Sequence, residues 1–280
     1  MEGSKGVEQI NINNQQPTIK IARRKKGEWF YIGVSAVSVL VFFLMWQFTT
    51  SRGLINQVFL PAPKRVWQTF IELVQQGYKG QSLLMHIAIS MERLFIALSF
   101  AIIIGVPLGL IAGSSRLVRA IIDPFIEFYR PLPPLAYYTL IVLWFGIGDE
   151  SKIILLFLNA FAPLLIGVIF SVQNIPTDRI NGAKSLGAKG INLFISVIFR
   201  SCLPDILTSL RTAIGVAYAT LVAAEMVAAV SGIGWMVLDA SKYLRNDIVY
   251  VGVIIMGIIA IILDSLVRLL IRRVSPWLEK

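Results

Sequence analysis

The feature that most constrains this chain is a series of long apolar runs, at residues 30–48, 94–113, 131–147, 153–172, 206–230 and 248–270. An α-helix rises ~1.5 Å per residue, so about 20 apolar residues cross a ~30 Å hydrocarbon core. Only 15% of the 280 residues are charged and 56% are hydrophobic, whereas soluble domains carry roughly 25% charge. A soluble core would interrupt runs of this length with polar faces. The expected fold class is an all-α polytopic membrane protein with about six transmembrane helices.

The runs divide the chain into a basic tail (residues 1–28), a first span (29–48), an extramembrane segment (49–93), a membrane core (94–271) and a short tail (272–280). The stretch from Trp29 to Phe48 carries no charge and is longer than the 7–15-residue apolar region of a signal peptide, so it reads as a retained span. Pro131, Pro133 and Pro134 crowd the start of the third run. Proline lacks a donor N–H and restricts the residue before it, so this helix is expected to begin or kink there. The preceding Ala120 to Tyr129 is apolar enough to join the same span.

The net charge of +10 does not indicate nucleic acid. Such binding needs basic residues gathered on a soluble face, and here they sit in the short segments between apolar runs. There they report topology. With the N-terminus inside, sixteen Lys and Arg residues fall in inside segments against eight outside, so both termini are expected in the cytoplasm. Cys202 and His86 are the only cysteine and histidine, too few for a disulfide or a metal site.

Ionisable residues inside spans are costly and call for a reason. Glu225, in the fifth run, is expected to form a structural pair or to line the outer half of a path. Arg130 and Arg211 are placed near the inside ends of spans, and Asp264 faces Arg268 one helical turn on. Glu92 and Arg93 are expected at the outer mouth of the second span, with His86 exposed just outside it. Gly105, Gly109 and Gly113 recur every four residues, so that face can pack closely on another helix. Residues 63–76 read as an amphipathic helix that either lies on the outer surface or packs on other outer loops, with Val66, Phe70 and Val74 at helical spacing.

The loop from 173 to 204, between the fourth and fifth runs, is too long to be a bare connection. Pro176-Thr177-Asp178 is a helix-start signal with Thr177 as N-cap. A short helix follows to Leu186, Gly187 interrupts it, and a second apolar run continues to Phe199. Gly182 and Gly187 have the spacing of phosphate-loop glycines, but Ala188 stands where the lysine belongs and no strand precedes them.

This loop resembles the cytoplasmic signature of permease subunits of ATP-binding-cassette importers through Ile175-Pro176, Ala183 and Leu186-Gly187-Ala188. The family's acidic triplet reads Asn181-Gly182-Ala183 here, and its downstream proline is replaced in Val197-Ile198-Phe199-Arg200. Further stretches resemble the subfamily that imports taurine, alkanesulfonates, nitrate and bicarbonate. They include Leu60-Pro61-Ala62-Pro63, Arg130-Pro131-Leu132-Pro133-Pro134, Trp144-Phe145-Gly146-Ile147-Gly148, Leu221-Val222-Ala223-Ala224-Glu225 and Gly232-Ile233-Gly234. The likeness runs from about residue 55 to 277 and is greatest to the taurine permeases, with Thr139 where the family has proline.

The resemblance implies the type I importer permease fold in a bacterial inner membrane and a transport subunit rather than an enzyme. It implies coupling to a separate ATPase through Asp178, Asn181, Gly182, Ala183, Lys184, Leu186, Gly187 and Ala188. It implies two ATPase copies, a homodimer of this chain, an extracytoplasmic binding protein, and no cofactor in this chain, ATP and Mg being bound by the partner. Arg130, Thr139, Arg211 and Glu225 become candidates for the path, with taurine or another sulfonate as substrate and nitrate or bicarbonate as alternatives. A secondary transporter would show repeated halves and broken midplane helices, and a membrane enzyme would show converging catalytic groups. Neither is evident in the sequence.

Overall fold

The computed structural model describes residues 28–274. Its helices are α1 (Glu28–Ser51), α2 (Pro63–Gln76), α3 (Leu83–Ser114), α4 (Arg116–Tyr129), α5 (Pro134–Phe145), α6 (Asp149–Gln173), α7 (Thr177–Ser185), α8 (Gly190–Leu193), α9 (Arg200–Ala228), α10 (Ile233–Lys242) and α11 (Asn246–Val274). A π-helical stretch, Phe194–Phe199, joins α8 to α9. Among the described residues, α1, α3, α6, the α8–α9 rod and α11 are long and apolar enough to cross a membrane.

The chain divides into two units, the first ending at Phe48 and the second beginning at Thr49. In the first, α1 presents apolar side chains all round, among them Val39, Phe42 and Leu44, which is the pattern of a helix surrounded by apolar material.

In the second unit α3 and α6 run parallel and very close. A side chain built on Gly105 would meet Phe161, one on Gly109 would meet Val168 and the Leu165 carbonyl, and one on Gly113 would meet Val172. The glycine face read from the sequence therefore packs on the same chain. Because the two helices are parallel, the segment between them must return across the membrane. Helices α4 and α5 do this together: Ile126 packs with Ala162, Leu165 and Ile169, the Tyr129 hydroxyl donates to the Leu158 carbonyl at 3.2 Å, and Tyr138 and Ile141 pack with Leu155. The third apolar run is thus not one spanning helix. Its α5 is 12 residues long, about 18 Å, and the break at Arg130–Pro133 lies level with Leu158, near the middle of α6. Pro133 and Pro134 have no N–H to continue the ladder from α4.

Helix α9 returns antiparallel to α6, with Ser171 Oγ donating to Asp205 at 2.7 Å. Helix α11 in turn runs antiparallel to α9, tied by Arg211 to Asp264 and by Tyr218 Oη to the Met256 carbonyl at 2.9 Å. The core between them includes Leu94, Leu98, Leu156, Leu164, Cys202, Ile206 and Leu221. One end of this unit carries α7 and the ends of α3 and α11. The opposite end carries the 77–82 turn, the α5–α6 turn and α10.

Three expectations change. Of the inside loop expected at 173–204, the part from Gly190 onward is helical and continuous with the rod that carries the fifth apolar run. Within that rod Pro204 supplies no N–H to the preceding turn, and the ladder carries its π segment just upstream. Second, α2 is the predicted helix, but it buries Val66, Thr69 and Leu73 while Val74 is exposed. The stripe is rotated because Thr69 Oγ1 and Arg65 bond Asp247 of α11 at 2.9 and 3.1 Å. Third, α3 begins eleven residues before the apolar run, at Leu83, for reasons that lie in its polar contacts.

Candidate functional site

The α7 segment starts where the chain leaves α6. Pro176 takes the N-cap position with no side-chain cap, so Thr177 is the first helical residue rather than the cap. Asp178 in the first turn and Lys184 in the last both complement the helix dipole. Gly187 ends the helix at φ +88°, and the Ala188 N–H reaches back to the Ala183 carbonyl at 3.0 Å. This closing turn needs a residue free to adopt positive φ, which is the reason for glycine at 187.

What α7 presents outward is unusual for a segment without a neighbour. Asp178, Asn181, Gly182, Lys184 and Gly187 are exposed, and Ala183 and Ala188 are half-buried. Leu186 is 91% exposed. A Cβ at Gly182 would meet nothing within 4 Å, although glycine costs ~1 kcal/mol in a helix interior relative to alanine. No contact in the second unit calls for a residue without a side chain at this place. The other side of α7 is anchored: Ile175 is buried, and Ile180 packs against the core with Phe194, Ile198 and Phe199 at the start of the fifth span. A push on α7 therefore acts on the root of α9.

At the opposite end the sequence reading missed a buried polar latch. Arg93, expected at an exposed mouth, is 3% exposed. Its guanidinium reaches Glu225 at 2.8 Å, Asp149 at 2.7 Å and the Ser231 carbonyl at 3.0 Å. Ser90, one turn earlier on α3, donates to Glu225 at 2.8 Å and accepts the Ile233 N–H at 3.0 Å. His86, expected to be surface-exposed, is fully buried. It accepts the Gly232 N–H on Nδ1 at 3.2 Å and lies stacked on Trp235. Glu225 takes the Gly234 N–H at 2.9 Å. The stripe His86, Ser90 and Arg93 thus holds three successive groups of the α9–α10 turn, and this is why α3 extends beyond its apolar run. Gly232 has φ +110°, and any Cβ there would lie 2.4 Å from the Glu225 carboxyl.

Two neighbours complete this end. Lys152 is buried and donates to the Ile147 and Gly148 carbonyls at 2.8 and 2.9 Å, closing the α5–α6 turn. On α10, Asp239 accepts from Tyr78 Oη and pairs with Lys79, both at 2.7 Å. Desolvation pushes the Asp239 carboxyl up, but the bonds from Lys79 and Tyr78 outweigh it and hold the group below its ordinary value. A turn-to-turn contact of Lys79 over the Tyr243 ring at 4.7 Å adds to the same surface.

The four candidate path residues are not brought together. Glu225 belongs to the latch. Arg211 is paired with Asp264, which also takes the expected Arg268. Thr139 is exposed on α5, and Arg130 is exposed at the α4–α5 break. Arg130 is therefore at mid-span rather than at an inside end. Long-range pairs such as Arg93–Glu225 leave no periodic trace; the only clue was a charged residue one helical turn from Ser90 and another from an apolar run's edge.

Comparison with known proteins agrees with this architecture. Residues 105–276 match the family model described as the inner membrane component of binding-protein-dependent transport systems. The chain is 40% identical over 260 residues to the taurine transport system permease protein TauC of Escherichia coli K12, covering 91% of this chain and 94% of that protein. It is 30% identical to the nitrate import permease protein NrtB of Leptolyngbya laminosa, covering 88% of each. Its fold is similar to that of a chain in an inward-facing structure of the MetNI methionine ABC transporter, with a TM-score of 0.59 at 14% identity over 69% of this chain and 95% of that one. The helix order, the family match and the full-length relatives lead to one conclusion: the chain is a multi-pass transport permease subunit, not an enzyme, and belongs to the family of inner membrane components of binding-protein-dependent transport systems.

Proposed function

We propose that this chain forms the membrane path of an ATP-driven importer and takes its motion from a separate ATPase seated on α7. The observation that carries this is the outward face of α7, where Gly182 lacks any neighbour in its own unit and Leu186 stands free. A glycine in a helix and an exposed leucine at its tip suit a backbone lying in the cleft of another protein. The α7 end also carries Arg116, Arg119, Arg179, Lys184, Lys189, Arg200, Arg268 and Arg273, which supports a cytoplasmic α7 and a cytoplasmic end of α11.

In this reading two copies of the chain line the path in a bacterial inner membrane. Each α7 sits on one of two ATPase subunits, which bind ATP and Mg, and an extracytoplasmic binding protein delivers the solute to the latch end. ATP-driven closure of the ATPases moves α7, and the Ile180 contact carries the motion into α9. The greater identity to TauC favours taurine or another sulfonate as the solute over nitrate, and uptake of labelled taurine against labelled nitrate separates the two.

The seat is tested by Ala183→Trp. Position 183 is half-buried, so Gly182→Trp is made beside it: a side chain at 182 meets nothing within 4 Å, and an indole there would block close approach by a partner without touching the chain's own core. The Gly182→Trp chain is expected to reach the membrane in normal amount but to lose co-elution with its ATPase on size-exclusion chromatography. Retention of the ATPase at wild-type stoichiometry would refute the assignment of α7.

A further inference from the structure

We infer that Arg130 lines the path at mid-depth and contacts the charged end of a transported anion; this rests on the importer reading above. The argument begins with where the chain breaks. Tyr129 reaches the Leu158 carbonyl, and Tyr137, three residues into α5, meets Asn159. The Arg130–Pro133 break between them therefore lies at the level of residues 158–159, about halfway along α6. Arg130 is the last residue of the α4 turn, its N–H still bonded to the Ile126 carbonyl at 3.0 Å, and its side chain is exposed.

Elsewhere in the unit, arginines set between helices are paired. Arg93 has Glu225 and Asp149, and Arg211 has Asp264. Arg130 has no carboxylate within ion-pair distance among the described residues. A guanidinium cannot lose its charge, and facing lipid at this depth is costly, so an arginine here faces a water-filled cavity or a compensating anion. Rigid donors in a planar fork suit two oxygens of a sulfonate or a nitrate better than a point charge would.

The surroundings fit the same chemistry. Asn159 Nδ2 donates to the Tyr137 hydroxyl at 2.8 Å, which leaves the phenol's own proton available to an acceptor at this level. Proline at positions 131, 133 and 134 keeps the break open, since no helix can continue through it. The break, an arginine without a carboxylate and a phenol whose proton is unused by Asn159 thus occur at one level of the unit. The substrate class this assigns is a small solute with an oxyanion group, and Arg130 is its charge-selecting contact.

The test uses Arg130→Cys in the complete permease–ATPase assembly, reconstituted in proteoliposomes with its binding protein. Cys202 is buried and is the chain's only native cysteine, so within this chain thiol reagents report on position 130, and the wild-type assembly treated in parallel accounts for thiols on the partners. Loss of a charge-assisted contact is expected to lower uptake of the labelled anion by about 10- to 100-fold. Reaction with aminoethyl methanethiosulfonate, which restores a positive charge, is expected to recover uptake, and the sulfonatoethyl reagent is not. A saturating concentration of the transported anion should also slow the modification. Wild-type uptake by the cysteine variant, failure of the positive reagent to restore it, absence of modification by mass spectrometry, or modification unaffected by the anion would each overturn the assignment. A wild-type assembly that takes up neither sulfonate nor nitrate would instead overturn the importer reading on which it rests.

Discussion

Arg93→Ala is expected to lower the stability of the folded chain by about 3–5 kcal/mol, the largest loss of any single side chain described here. Arg93 and Glu225 have side-chain exposures of 4% and 1%. Removing the guanidinium leaves Glu225 buried without its cation, and the hydrogen bonds from Ser90 and Gly234 do not replace a charge. Asp149, whose side chain is 58% exposed, is rehydrated at little cost. The asymmetry gives a second expected result. Arg93→Met combined with Glu225→Leu removes both charges together and is expected to recover part of the loss: the unpaired buried charge is gone, but the Gly234 N–H and the Ser231 carbonyl are left without their partners. Equilibrium unfolding in mixed micelles measures both variants. A single substitution as well tolerated as the double one would show that the pair is not desolvated.

Gly109→Leu is the second substitution expected to have a large effect. A Cβ at this position would already lie 2.7 Å from Val168 Cβ and 3.2 Å from the Leu165 carbonyl. The carbonyl is backbone and cannot rotate away, so α3 and α6 must separate. Overpacking of this kind costs typically ~1–3 kcal/mol, and here it also parts the two helices that carry Arg93 and Asp149. Expected results are a lower unfolding midpoint and a smaller yield of folded chain. Gly215, which has nothing within 4 Å, provides the control: Gly215→Leu should leave the midpoint nearly unchanged. Equal effects of the two would show that the seam is not where stability resides.

These two sites mark where the sequence could and could not be read. The glycines at 105, 109 and 113 announce a close-packed face through spacing alone, because a helix puts every fourth residue on one side. Gly187 announces the end of α7 through its chemistry. The Arg93–Glu225 pair was invisible because 132 residues separate its members, and a charge beside an apolar run normally marks the run's end. The same rule misplaced His86 and set the second span eleven residues short. The proline cluster was read correctly as a break but at the wrong depth. The reading that Ala120 to Tyr129 joins the third run in one span agrees with α4 and α5, which make the crossing between α3 and α6 together. Local signals thus fixed the elements, whereas the latch and the mid-span arginine depend on which helices become neighbours.

The central claim is that α7 seats the motor, and a nitroxide attached through Ser185→Cys tests it most directly, with buried Cys202 left in place. A second label at Tyr243→Cys, exposed on the α10–α11 turn at the far end, serves as reference. Adding the ATPase subunit is expected to broaden the electron paramagnetic resonance spectrum at Ser185→Cys and leave Tyr243→Cys unchanged. An unaltered spectrum at position 185 while the ATPase is bound, or broadening only at position 243, would contradict the account.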